Sequence, residues 1–235
     1  MSEPGADLPE RPRQRGLPEG ALDIAVLPGS HLWLLPQRAA FDPERRLLLV
    51  ADAHIGKAVS FRRLGVPVPG GTTAEALKRL DDAIALTAAT GIVFLGDLLH
   101  SRRSLAPDTL AAVRAWRERH AGLDLTLLRG NHDLRAGDPP PDLAVACVDG
   151  PLLLGPWALV HEPQVVAGAY ALAGHVHPGV VLGGRARDRL RLPCFRFGQA
   201  IGLLPAFGGF TGLHVPVRQP DERVLAVASG AVLAV

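Results

Sequence analysis

The sequence predicts an α/β (α+β) fold with two sheets: one with parallel strands crossed by helices, and a strand-rich one facing it. Three observations carry that expectation. Residues 47–128 alternate short, wholly apolar runs with longer stretches of helical periodicity, as parallel strands joined by crossover helices do. After Pro139-Pro140-Pro141 the chain changes to short β-rich runs separated by Gly, Pro or acidic turns. Apolar residues make up 48% of the 235 and charged residues 20%, which supplies a sizeable core and excludes global disorder.

Each element has a local reason. Residues 1–20 hold four prolines, three glycines and seven interleaved charges without apolar periodicity, and read as a flexible leader before a single domain over residues 21–235. Leu47–Val50 is a continuous apolar run, as a strand buried on both faces should be. Thr72-x-x-Glu75 has the form of a capping box and opens a helix expected to reach about Thr90 and stop at Gly91. Ile92–Leu95 is the next strand; a second helix is expected from about Pro107 to His120, ending at Gly122, before a third strand at Leu125–Leu128. Ala144–Val148, Leu152–Leu154, Trp157–Val160, Ala169–Ala173 and Val180–Leu182 read as strands of the second sheet, with hairpins up to the C-terminus. Trp33, Trp116 and Trp157 fall in these patterns and read as core residues.

Composition removes several classes. A formal charge of +2 gives no strong field, so any nucleic-acid contact must come from local clusters. Two cysteines, Cys147 and Cys194, without paired spacing exclude a disulfide scaffold and a thiolate zinc site, and read as small buried hydrophobes. No run reaches the roughly 18 apolar residues of a membrane span, and the N-terminus lacks a signal-peptide core. A soluble cytoplasmic protein is expected.

The chemistry sits at strand ends. Val50-Ala51 leads into Asp52-Ala53-His54, Leu95 into Gly96-Asp97, and Leu128 into Arg129-Gly130-Asn131-His132-Asp133. Val160 leads into His161, and Ala173 into Gly174-His175-Val176-His177. The carboxyl ends of parallel strands share one edge, so two Asp, one Asn and four His can meet there. Carboxylate and imidazole donors without thiolate suit Mn²⁺, Fe or Zn²⁺. The set is too large for one catalytic ion with open positions and suits two ions about 3.5–4 Å apart. Without metal, burying so many polar groups would be costly.

The ordered set Asp52-x-His54, Gly96-Asp97, Gly130-Asn131-His132-Asp133, His161 and Gly174-His175-x-His177 resembles the calcineurin-like metallophosphoesterase superfamily over about residues 24–217. More narrowly, the short length, Ala51–Lys57, Gly96–Ser101 and Leu204–Gly212 resemble a bacterial subfamily of ligase-associated DNA damage response endonucleases or phosphoesterases. The resemblance implies a four-layer αββα sandwich, two mixed sheets flanked by helices. It implies a binuclear phosphodiesterase or nuclease in which a metal-bridging hydroxide attacks phosphorus, with Mn²⁺ foremost. Asp52, His54 and His177 would hold the first ion, Asn131, His161 and His175 the second, and Asp97 would bridge them. His132 would sit beside the scissile phosphate as a proton donor, with Asp133 orienting its ring. Nucleic acid, a DNA ligase and a helicase would be the partners.

Basic residues flank these motifs: Lys57, Arg62 and Arg63 after the first, Arg102 and Arg103 after the second, Arg129 and Arg135 around the third. They read as contacts for flanking phosphates or as solvated loop charges. His100 is close enough in sequence to reach substrate, whereas His31, His120 and His214 have no partner pattern. Arg185, Arg187, Arg189 and Arg191 alternate by two, which fits a nucleic-acid track and equally a charge-protected edge strand. Aromatic residues, at 5%, are too few for a row of base-stacking platforms. A pyrophosphatase or phosphodiesterase acting on a nucleotide or lipid-linked small molecule is the second reading. A non-catalytic scaffold for a repair complex is the third, and the intact donor set speaks against it.

Overall fold

The computed structural model describes residues 16–235 except Leu64, Pro67, Pro69, Gly70, residues 184–188 and Phe210, with backbone alone at Arg63 and Arg103. Most of the leader, Arg185, Arg187 and the side chains of Arg63 and Arg103 therefore lie outside the described residues.

The first sheet begins with an antiparallel meander, β1 (Leu22–Leu27), β2 (Ser30–Leu35), β3 (Ala39–Asp42) and β4 (Leu47–Val50). It continues in parallel through β5 (Gly91–Leu95), β6 (Asp124–Leu128) and β7 (Val145–Val148). Among the described residues four α-helices accompany it: α1 (Lys57–Arg63), α2 (Thr72–Thr87), α3 (Pro107–Arg119) and α4 (Asn131–Ala136). The second sheet contains β8 (Leu152–Leu154), β9 (Trp157–Val160), β10 (Tyr170–Ala173), β11 (Gly179–Gly183), β12 (Arg189–Phe197), β13 (Ile201–Leu203), β14 (Arg223–Ala228) and β15 (Ala231–Ala234). Its order is β15-β14-β12-β13-β10-β9-β8, with β11 paired to β12 alone. β9, β10 and β13 run parallel, so this sheet too is mixed. The fold is the expected one, two mixed sheets flanked by helices.

Period-two alternation explains the continuous apolar runs. Leu48, Val50, Ile92, Phe94, Leu125 and Leu127 pack with Leu77 and Leu80 of α2 and Trp116 of α3. Leu49, Val93 and Leu95 point the other way, onto Trp157, Leu159, Leu172, Phe195 and Phe197 of the second sheet. A buried polar link crosses between the sheets at Trp157, whose Nε1 donates to Asp42 Oδ2 at 2.8 Å.

Three expectations change. Val145–Val148 belongs to the first sheet, pairing with β6, because pairing is decided by long-range register that a local pattern does not contain. The Thr72–Glu75 capping box does not form: Gly71, at φ 87°, is the residue before the helix and no side chain caps it. That helix ends at Thr87 with Ala88 left-handed (φ 52°), and Gly91 is already the first residue of β5.

Candidate metal centre

The strand ends build the site by turning sharply. Asp52 (φ 52°), His54 (46°), Asp97 (53°), His175 (66°) and His177 (51°) all adopt the left-handed conformation that non-glycine residues rarely take. The turns direct these side chains off the carboxyl edges of β4, β5 and β10 into one place, while β6 leads into Asn131 and β9 into His161. The sheets are tied together there: the His175 N–H donates to Asp52 Oδ2 at 2.8 Å. Asp52, His54, Asp97 and His161 are buried, Asn131 and His177 half-buried, and His175 exposed.

Two overlapping donor groups result. The potential ligand atoms of Asp52, His54 and His177 lie within 4.8 Å of one another, and so do those of Asp52, Asp97 and His161. The first group is the expected first set. Asp52 is common to both, whereas the resemblance gives the bridging place to Asp97. Asn131 Oδ1 and His175 Nδ1 stand 2.9 and 3.1 Å from His161 Nε2, so all seven expected donors converge.

The pocket fits cations on two counts. Asp52 Oδ1 and His54 Nδ1 are buried and have no hydrogen-bond partner among the described residues. The His161 Nδ1 lies 2.9 Å from the Leu95 carbonyl, which can only accept, so that nitrogen carries the proton. In the neutral ring Nε2 is then a bare lone pair facing Asn131 Oδ1 and, at 3.5 Å, Asp97 Oδ1. Acceptors facing acceptors repel unless a cation lies among them. Burial, assisted by Lys57 and by the rings of His177, His100 and His132, pushes the His54 imidazole down to about 2, keeping it neutral as a ligand must be.

His132 occupies the mouth. Its Nδ1 is 2.9 Å from the His100 carbonyl, its Nε2 is 3.9 Å from Asp97 Oδ2, and its backbone N–H donates to Asp97 Oδ1 at 2.9 Å. Asp133 does not orient the ring. Its buried carboxylate accepts the N–H groups of Asp97 (2.6 Å), Gly130 (2.9 Å) and Leu99 (3.2 Å), stapling the loops after β5 and β6 together. Burial pushes Asp133 upward despite those donors. The ring partner that sequence reasoning missed is a backbone carbonyl, which no residue type announces.

The flanking residues separate. Lys57, at the start of α1, is half-buried; burial lowers its ammonium while the fields of Asp52 and Asp97 raise it. His100 does reach the pocket, its ring stacked on His132 (4.8 Å) and Phe61 (5.8 Å) and edge-on to His54 (5.3 Å). Arg62 and Arg102 are exposed. Arg129 is not offered to a phosphate: it forms a two-pronged pair with Asp138 (2.7 and 2.8 Å) and meets Asp149 at 3.1 Å. Arg189 and Arg191 are exposed on the β11–β12 hairpin.

The fold and this oxygen- and imidazole-rich centre are those of a metal-dependent phosphoesterase, a hydrolase of ester bonds. The chain belongs to the calcineurin-like metallophosphoesterase superfamily. It is 45% identical to the Pseudomonas putida nuclease MPE, whose crystal structure it matches with a TM-score of 0.81 over 92% of this chain and 100% of that one. The Escherichia coli phosphoesterase YfcE matches at 16% identity and a TM-score of 0.39, over 80% of this chain and 96% of that one. No protein-family model matches the chain, and no curated protein matches it. No helix among the described residues is long and apolar enough to cross a membrane.

Proposed function

We propose that the chain is a binuclear phosphodiesterase that cleaves nucleic acid. The observation that carries this reading is the pair of donor groups sharing Asp52 within one cleft. Two divalent ions would be held there, Mn²⁺ foremost and Fe or Zn²⁺ otherwise, by Asp52, His54 and His177 on one side and Asn131, His161 and His175 on the other, with Asp97 between. When bound, such ions neutralise phosphate oxygens and acidify water.

The chain's own groups supply the rest. The Leu95 carbonyl fixes the His161 tautomer and so aims Nε2 inward. Asn131 adds an oxygen donor without a charge that would repel an anionic substrate. His132, its Nδ1 proton committed to the His100 carbonyl, presents Nε2 at the mouth; protonated there, it gives that proton to the departing alkoxide. Lys57 and His100, which reach the pocket, suit flanking phosphates, and so do the exposed Arg62 and Arg102 that follow the same motifs in sequence.

The nuclease assignment of the 45% identical relative supports nucleic acid as the substrate class. Resemblance to ligase-associated proteins supports a role in DNA repair beside a DNA ligase and a helicase, and with it a cytoplasmic location. The test is a panel with Mn²⁺: bis(p-nitrophenyl) phosphate, p-nitrophenyl phosphate, single-stranded and nicked DNA, and a nucleotide-diphosphate lipid analogue. Diester and DNA turnover that Asp97→Ala abolishes is expected. Turnover of the lipid analogue alone, or of nothing with Mn²⁺, Fe²⁺ or Zn²⁺, overturns the reading.

A further inference from the structure

The segment from Leu204 to His214 contributes no donor, yet it binds the backbone of both loops that carry two donors each. The Leu204 N–H donates to the Ala173 carbonyl at 2.8 Å, just before Gly174-His175. Ala206 forms a parallel bridge with Ala51. The Phe207 N–H donates to the Ala51 carbonyl (2.8 Å) and the Gly208 N–H to the Asp52 carbonyl (3.0 Å). Further on, the His214 N–H donates to the His177 carbonyl (3.0 Å), and the Gly179 N–H returns to the His214 carbonyl (2.7 Å).

The segment is itself held from behind. Leu204, Ala206 and Phe207 are almost wholly buried. Arg79 of α2 donates to the Phe207 carbonyl and lays its guanidinium 5.3 Å from the Phe207 ring centre. At Gly208 the approach is too close for any side chain: a Cβ there would stand 2.5 Å from the Ala53 carbonyl oxygen and 3.1 Å from that of Asp52. Those atoms are backbone, which cannot swing aside as a flexible side chain can. Ala53 lies between Asp52 and His54, so whatever moves its carbonyl moves both donors. Gly209, one residue on, has nothing within 4 Å of its would-be Cβ.

We propose that residues 204–209 and 211–214 act as a strap that sets the spacing between the Asp52–His54 and His175–His177 loops, with Gly208 as the positioning residue for the metal donors. The proposal rests on the metal-centre reading above and adds to it what holds the strained loops in register. A strap of ordinary core residues would affect stability alone; this one governs ion affinity, because donors carried on left-handed turns have little slack. Residues behind the ligands of a metal site typically change affinity by about 10–100-fold when altered.

The test titrates Mn²⁺ calorimetrically into metal-stripped protein and measures the thermal midpoint in EDTA. Gly208→Ala is expected to weaken at least one Mn²⁺ binding step of the still-folded protein about tenfold or more, with the metal-free midpoint lowered by the displaced backbone, while Gly209→Ala matches the wild type in both. Gly208→Ala binding Mn²⁺ within twofold of wild type, or Gly209→Ala losing as much, overturns the proposal. Should Gly208→Ala fail to fold, Arg79→Ala decides: it releases the Phe207 carbonyl without adding an atom. Severalfold weaker Mn²⁺ binding there supports the strap, and unchanged binding overturns it. A wild-type chain that binds no Mn²⁺, Fe²⁺ or Zn²⁺ overturns the metal-centre reading itself, an outcome distinct from all of these.

Discussion

The imidazoles of His100 and His132 are stacked with ring centres 4.8 Å apart, and the carbonyl of the first accepts the Nδ1 proton of the second at 2.9 Å. One residue thus supplies both a platform for the His132 ring and the bond that selects its tautomer. Replacing His132 by Ala removes the proton donor while leaving all seven metal donors in place. Diester turnover should fall by about 10²–10⁴ with bound Mn²⁺ equal to wild type, read by steady-state kinetics beside elemental analysis. Loss of metal together with activity would make His132 a ligand.

Asp52 stands in both donor groups, so it should govern the coupling of metal to folding. Free Mn²⁺ at 100 times its dissociation constant should stabilise the wild type by about 2.7 kcal/mol. Asp52→Ala should show a clearly smaller gain when urea midpoints are compared with and without Mn²⁺. A variant that keeps the gain would show that its carboxylate is not a ligand.

Acid should weaken the metal-free protein through its buried imidazoles. Burial, together with Lys57 and His132, holds His100 down at about 4, and His54 sits at about 2. An unfolded chain titrates histidine near 6.5. Below that pH the unfolded state binds protons that the native rings refuse, so stability is full above 6.5 and declines as pH falls towards 4. His100→Phe keeps the stack and the carbonyl but no longer titrates. Its urea midpoint should drop less than the wild type's between pH 7.5 and 4.5, and an equal drop would remove His100 from the account.

The Asp133 carboxylate satisfies three backbone N–H groups. Asp133→Ala leaves them buried without acceptors, and each such group costs about 1–3 kcal/mol. A loss of several kcal/mol in chemical denaturation is expected, with metal affinity lowered because the Asp97 loop is freed. A change under about 1 kcal/mol, the scale of a surface pair, would contradict this role.

Arg129 offers the opposite case. Its guanidinium is held by Asp138 and Asp149 at the surface, away from any substrate role. Arg129→Ala should leave DNA and diester turnover within twofold of wild type, whereas Lys57→Ala, beside Asp52 and Asp97, should raise KM for DNA. A large loss on removing Arg129 would restore it as a phosphate contact.

Strand ends were readable because polar residues interrupting an apolar run have few places to go. Asp52, His54, Asp97 and His161 could be gathered from sequence for that reason alone, and parallel strands do the gathering. What sequence hides is pairing at a distance and anything carried by backbone. Val145–Val148 looks no different in the first sheet from how it would look in the second. The Leu95 and His100 carbonyls that orient His161 and His132 belong to residues whose side chains say nothing of the task. Leu204–Gly212 stood out only through family resemblance, since N–H groups aimed at Ala51 and Asp52 leave no mark beyond Gly208. Arg129 misled because a basic residue beside a motif looks the same whether its partner is a phosphate or a nearby aspartate.

Five of the seven donors have a positive φ. Asp and His tolerate that conformation better than most residues, but glycine tolerates it best. Selection of variants for heat tolerance alone would therefore favour losing this centre, replacing donors by glycine and gaining robustness at the expense of chemistry. At these five positions the chain's backbone preference and its chemistry pull in opposite directions.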